Sequence, residues 1–194
     1  TNLKSGSGGA ISLVLKGALQ TTGKVSPGLV IQSVGGGGGF AGNTTSHGVL
    51  GSSGGSGDLG ISGSSGLIYP VACPFGSCAE APVEQAVLVD IQGSVSTAGI
   101  TSPAMLVQAI GGGGGRLGTI GDDATLGMAS SSGNADGGSI RVISNAGASL
   151  SSSGVYSPAL MVQSIGGGGG SVNNVGGDLQ LGGSGVTESR GGSV

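Results

Sequence analysis

The strongest constraint on this chain is a phrase that occurs three times in it. The first copy reads Ser26-Pro27-Gly28-Leu29-Val30-Ile31-Gln32-Ser33-Val34 and runs into Gly35 to Gly39. The second is Ser102-Pro103-Ala104-Met105-Leu106-Val107-Gln108-Ala109-Ile110 with Gly111 to Gly115. The third is Ser157-Pro158-Ala159-Leu160-Met161-Val162-Gln163-Ser164-Ile165 with Gly166 to Gly170. A fixed phrase that returns in this way marks a quasi-one-dimensional architecture, in which each unit packs on the next.

An alternating segment precedes each phrase. Ile11, Leu13 and Leu15 alternate with Ser12, Val14 and Lys16; Val87, Val89, Ile91 and Val95 mark the second segment, and Ile140 to Asn145 form the third. Period-two alternation rich in β-branched residues reads as half-buried strand. Small-residue stretches follow, Thr21-Thr22-Gly23, Ser96-Thr97-Ala98-Gly99 and Ser151-Ser152-Ser153-Gly154, and these read as turns. The unit is therefore strand, turn, Ser-Pro, strand and polyglycine, at about 10–39, 86–115 and 139–170. Helix has no support, because the 48 glycines would each destabilise a helix interior by about 1 kcal/mol relative to Ala. A unit that cannot bury its own apolar face buries it on the next copy. The fold class is all-β, a parallel β-solenoid (β-helix) forming one repetitive domain over 1–194. With aromatics at 2%, its core is thin and aliphatic.

Stacking would line up Gln32, Gln108 and Gln163. An amide ladder along the stack and a surface polar residue on a strand are both open readings. The glycine runs, beginning at Gly35, Gly111 and Gly166, would by default be flexible linkers. Their constant length and constant attachment point instead to an ordered role. Polyproline-II-like segments that bond laterally and a close approach of two units where no Cβ fits both satisfy that constraint.

From Pro27 to Pro103 is 76 positions and from Pro103 to Pro158 is 55, a difference of 21. The extra length is assigned to an insertion at about 67–82, which carries Cys73-Pro74-Phe75-Gly76-Ser77-Cys78. The Pro and Gly between the cysteines favour a tight turn that brings them within disulfide range. Cys73 and Cys78 read as a local disulfide, with an oxidising compartment implied, in preference to two inert thiols. A metal site would need further ligands, and the sole histidine is His47. A redox pair would have two residues between its cysteines rather than four. Contact residues concentrate on loops over a rigid scaffold, so the insertion is the candidate contact loop, with Tyr69 and Phe75 its aromatic members.

Net charge is −3, and the six Lys and Arg are scattered. Nucleic acid is excluded as a partner, because phosphate neutralisation needs clustered cations. No apolar run reaches the roughly 20 residues of a membrane-spanning helix. No secretory leader is read at the start, and the chain opens and closes in mid-pattern, as a piece of a longer one would. Gly51 to Gly55 fits a nucleophile-elbow pattern around Ser53. The match is expected by accident in so Gly- and Ser-rich a stretch, and no strand-then-helix context surrounds it. Gly17 to Lys24 fails as a phosphate loop, since Val25 stands where Ser or Thr must ligate magnesium. Gly54 to Leu59 approaches a calcium-binding nonapeptide with Asp58 one place early. Asp122, Asp123 and Asp136 are isolated, and Asn43-Thr44-Thr45 is a glycosylation sequon by form only. The chain is read as a non-enzyme with no catalytic residue, no metal and no cofactor.

The junctions Gln32-Ser33-Val34, Gln108-Ala109-Ile110 and Gln163-Ser164-Ile165, each followed by five glycines, resemble the glycine-rich passenger repeats of bacterial autotransporters. The resemblance covers three blocks of about 30 residues. It departs from the family at Pro27, Pro103 and Pro158, where Gly is common, and in its two cysteines. The resemblance implies a secreted, extracellular protein of the bacterial cell surface that mediates adhesion, aggregation or biofilm contacts. It implies as partner a receptor on a host or neighbouring cell, or copies of the chain itself, and anchorage by an outer-membrane barrel outside this chain. The alternatives are a phage tail-tip receptor-binding adhesin with packed glycine helices and a self-assembling extracellular fibre subunit.

Overall fold

A computed structural model of the chain describes residues 8–34, 39–43, 45–46, 48–50, 86–111, 115–126, 137–166, 170–181 and 194. These carry fifteen strands and, among the described residues, no helix. The first repeat holds β1 (Ile11–Leu15), β2 (Ala18–Thr21), β3 (Leu29–Val34), β4 (Gly39–Ala41) and β5 (Gly48–Leu50). The second holds β6 (Val87–Ile91), β7 (Ser94–Thr97), β8 (Met105–Ile110), β9 (Gly115–Ile120) and β10 (Ala124–Leu126). The third holds β11 (Ile140–Ser144), β12 (Ser149–Ser152), β13 (Leu160–Ile165), β14 (Gly170–Val175) and β15 (Leu179–Leu181).

Every strand pairs in parallel with the strand at the same place in the next repeat. Five three-stranded sheets result, and the second repeat supplies the central strand of each. The register between the first two repeats is 76 positions in all five sheets, from Ile11 on Val87 to Gly48 on Ala124. Between the second and third it is 53 in the first sheet, Val87 on Ile140, and 55 from the second sheet onward, Ser94 on Ser149. The two added residues sit in the turn 145–148, which replaces the two-residue connection 92–93. Residues 51–86, 36 in number, join β5 to β6, while residues 127–139, 13 in number, join β10 to β11. That surplus of 23, less the two added in the turn, accounts for the 21-residue difference in spacing.

Two features differ from the sequence reading. Thr21, Ser96, Thr97, Ser151 and Ser152 belong to strands rather than turns. Inward-facing hydroxyls can take the place of apolar side chains there because each finds an acceptor: Thr21 Oγ1 donates to the Ser26 carbonyl at 2.6 Å and Thr97 Oγ1 to the Ser102 carbonyl at 2.5 Å. Each repeat also continues past its glycines through two more strands, of which β9 and β14 open on the last glycine of the run. Their Gly, Ser and Asn content carries little apolar alternation, so their pairing partners define them.

Among the described residues, most of the buried apolar side chains fall into two clusters. The larger takes Val87, Val89 and Ile91 from β6, Val95 from β7 and Met105, Val107 and Ile110 from β8, with outer-repeat counterparts such as Leu13, Ile31 and Val142. The smaller consists of Leu117, Ile120 and Ala124 with Val172 and Val175 packed on it. All six residues of β8 are buried, while its neighbours β3 and β13 are only partly so. A neighbour on both sides is what closes off a strand here, and full burial stabilises each large aliphatic side chain by roughly 1.5–3 kcal/mol.

Candidate functional site

Gln32, Gln108 and Gln163 lie in register on β3, β8 and β13. The Gln32 amide donates to Gln108 Oε1 at 2.6 Å, and the Gln108 amide donates to Gln163 Oε1 at 2.7 Å. Gln108 has no exposed surface. Gln108 both gives and receives, and the two bonds of the ladder run in the same direction along the stack.

The glycine runs meet this ladder at their last residue. Gly39, Gly115 and Gly170 have φ of 121°, 123° and 131°, a region that side-chain-bearing residues rarely enter. They also stack on one another: a Cβ at Gly115 would fall on the Gly39 carbonyl, and one at Gly170 on that of Gly115. A Cβ at Gly39 would stand 3.2 Å from the Gln32 amide nitrogen. Gly111 is buried and donates its N–H to the Ile165 carbonyl at 2.8 Å, and Gly166 is half-buried. Gly35 lies outside the described residues.

A second ladder runs through the Ser-Pro corner. The Ser26 N–H donates to Ser102 Oγ at 2.9 Å, and the Ser102 N–H to Ser157 Oγ at 2.8 Å. Each hydroxyl then donates back to the glycine carbonyl of the preceding repeat, Ser102 to Gly23 at 3.0 Å and Ser157 to Gly99 at 2.9 Å. Pro has no N–H to give, but its carbonyl is used across the repeats, Gly28 N–H on Pro103 at 3.0 Å and Ala104 N–H on Pro158 at 3.1 Å. The residue before the serine is left-handed in all three copies, Val25, Thr101 and Tyr156 at φ 52°, 58° and 56°. A constant corner strained at a β-branched residue in two of its three copies holds because the layers above and below it carry the same bonds. The presence of Ser-Pro in every phrase was the signal for this ladder, which the sequence reading missed.

Arg116, the second residue of β9, was missed as well. It is 1% exposed and lies in register with Phe40 and Ser171. Its terminal nitrogens donate to the Tyr156 carbonyl at 2.9 Å, Asn173 Oδ1 at 3.1 Å and the Met161 sulfur at 3.5 Å. Its Nε has no hydrogen-bond partner. Burial lowers the guanidinium pKa from its ordinary value, because desolvation disfavours the charged form. A lone cation directly after a glycine run, in a chain that is 8% charged, was the available signal.

On the second sheet an amide and two hydroxyls, Gln20, Ser96 and Ser151, lie in register. A groove of about 250 Å³ lies beside them, lined by Gln20, Ser96, Ser151 and their chain neighbours. An array of neutral hydroxyls and amides can hydrogen-bond to uncharged polar surfaces. Asn43 Oδ1 accepts from the Thr119 N–H, and Asp123 Oδ1 from the Asp178 N–H, each at 2.8 Å, so both side chains brace adjacent repeats. Among the described residues, no group of three or more His, Cys, Asp and Glu could hold a metal ion. Cys73, Cys78, Tyr69 and Phe75, with His47, Ser53, Asp58 and Asp136, lie outside the described residues.

Comparison with models of known protein families, with curated protein sequences and with solved structures gave no match.

Proposed function

We propose that this chain is a segment of a parallel β-solenoid on the bacterial cell surface that makes adhesive contacts without catalysis. The observation that carries the reading is the repetition of one set of bonds, glutamine ladder, serine corner and stacked glycine, in every layer. Such a body is rigid along its whole length and leaves its connections free to vary, which suits display of contact residues on loops. The segment 67–82, with Tyr69, Phe75 and the proposed Cys73–Cys78 disulfide, is the display element of this reading. The autotransporter resemblance supplies the localisation. A phage tail adhesin built on glycine helices is the alternative reading; the glycines that would form those helices, 35–38, 112–114 and 167–169, lie outside the described residues.

The test is deletion of residues 67–82 from the chain displayed on bacteria. Adherence to cultured epithelial cells or to a polystyrene surface should fall, while the purified variant keeps the β-sheet circular dichroism and the melting temperature of the parent. Undiminished adherence would refute the contact loop, and unfolding would refute the separation of loop from scaffold.

A further inference from the structure

Arg116 is a buried cation with no carboxylate beside it among the described residues. Buried charges are ordinarily paired, and a guanidinium does not escape burial by giving up its proton. Arg116 belongs to the central repeat, with Phe40 and Ser171 on either side of it in the sheet. Its bonds go to two neutral oxygens and a sulfur, and its Nε–H meets no partner.

The groups around it are rich in donors. Arg116 Nη1 and Ser171 Oγ both converge on the Met161 sulfur, at 3.5 and 3.7 Å. A thioether is a weak acceptor, so both donors are poorly satisfied there. The Thr101 hydroxyl is 1% exposed and accepts from Asn173 Nδ2 at 3.2 Å, but its own hydrogen finds no acceptor among the described residues. The good acceptors that Arg116 reaches are the Tyr156 carbonyl and Asn173 Oδ1. Hydrogens to donate are in surplus, and the only charge in the cluster is positive.

We propose that this cluster binds a monatomic anion, chloride, between the second and third repeats, where Arg116 Nη1 and Ser171 Oγ converge. Met161 stands at that point. It is half-buried, and an unbranched thioether side chain adapts readily, so its sulfur can yield the place to an ion of similar size. The ion supplies the missing negative charge, accepts from both donors and ties β9 to β14. Away from water the attraction between the two charges is strengthened. A sulfate brings two charges and four acceptor oxygens, which one cation and one hydroxyl do not match.

Urea unfolding of the whole chain in sodium chloride, with ionic strength held constant by sodium methanesulfonate, tests the site. An ion that binds only the folded state lowers the unfolding constant about tenfold when present at ten times its dissociation constant. Stability should therefore climb with chloride, and the chloride NMR line should broaden in the presence of the protein. Arg116→Met should abolish both effects while remaining at least as stable as the parent in chloride-free buffer. Ser171→Ala keeps the cation and removes one donor, so it should weaken chloride binding roughly fivefold; if Arg116→Met does not fold, this variant decides. Four results would overturn the proposal: a parent whose stability ignores chloride, an Arg116→Met chain that keeps the dependence, a Ser171→Ala chain that binds chloride as the parent does, and sulfate acting as well as chloride.

Discussion

Gln108→Glu exchanges one amide nitrogen for oxygen at the centre of the ladder, where the side chain has no exposed surface. The new carboxylate can accept from the Gln32 amide, but it faces Gln163 Oε1 across what was a 2.7 Å hydrogen bond. A carboxyl buried so completely is raised about 3 pH units above its ordinary value near 4.3. Each unit corresponds to about 1.4 kcal/mol, so the variant should be roughly 4 kcal/mol less stable than the parent above that raised value, and about 3.5 kcal/mol less stable at neutral pH just below it. The direction with pH follows from the raised value. Above it both folded and unfolded chains are ionised there and the full penalty applies; the penalty shrinks as pH falls and is gone below about 4.3. The neutral acid can donate to Gln163 while still accepting from Gln32, which restores the ladder. Gln108→Met gives the reference for losing the bonds without adding charge, at about 1 kcal/mol for each of the two, and its deficit should not depend on pH. Urea unfolding of the three proteins between pH 4 and 7.5 reads the differences directly. Equal stability of Gln108→Glu and the parent at neutral pH, or a deficit that does not shrink on acidification, would refute the ladder as drawn.

Gly115→Ala should destabilise the fold by more than about 2 kcal/mol. Its Cβ would fall on the Gly39 carbonyl at a positive φ of 123°; thermal unfolding within a degree of the parent would refute the stacked-glycine account. Arg116→Met should leave stability unchanged or raise it, because replacing a buried charge by an apolar side chain of similar reach removes a desolvation penalty that no carboxylate offsets among the described residues. Arg116→Ala should lower stability by opening a cavity, and a Met variant as unstable as the Ala variant would show that the guanidinium bonds outweigh the desolvation.

The strands that sequence reasoning reaches are those whose side chains alternate against the larger core. β1, β6 and β11 carry Leu13, Val89 and Val142 at the same place, and β3, β8 and β13 carry Ile31, Val107 and Val162. The strands that it does not reach are held by backbone pairing to a like neighbour. In β14, Ser171, Asn173 and Asn174 show no apolar period, yet five of its six residues pair with β9 at one constant offset. The constant offset of 76 positions contained that information, since Gly48-Val49-Leu50 falls on Ala124-Thr125-Leu126. A stacked architecture transfers structure from a residue to its counterpart in the next layer, and a single window of sequence does not contain that transfer. Of the polar ladders, Gln32, Gln108 and Gln163 stood out in the sequence because an amide interrupts an apolar run. The serine corner stayed hidden because serine is common throughout the chain.

The strand-on-strand register also fixes a ratio of material to reach. Neighbouring layers of a sheet stand about 4.8 Å apart, while one new layer here consumes 76 residues and the next 55. An extended chain of either length would reach well over 100 Å. Parallel stacking of this kind is therefore a poor spacer: each layer contributes one strand to every one of the five sheets. Lengthening by one layer adds little distance from an anchoring surface, but it adds a further row to every sheet at once. Selection on such a protein would act through the number and decoration of rows, with length following as a by-product.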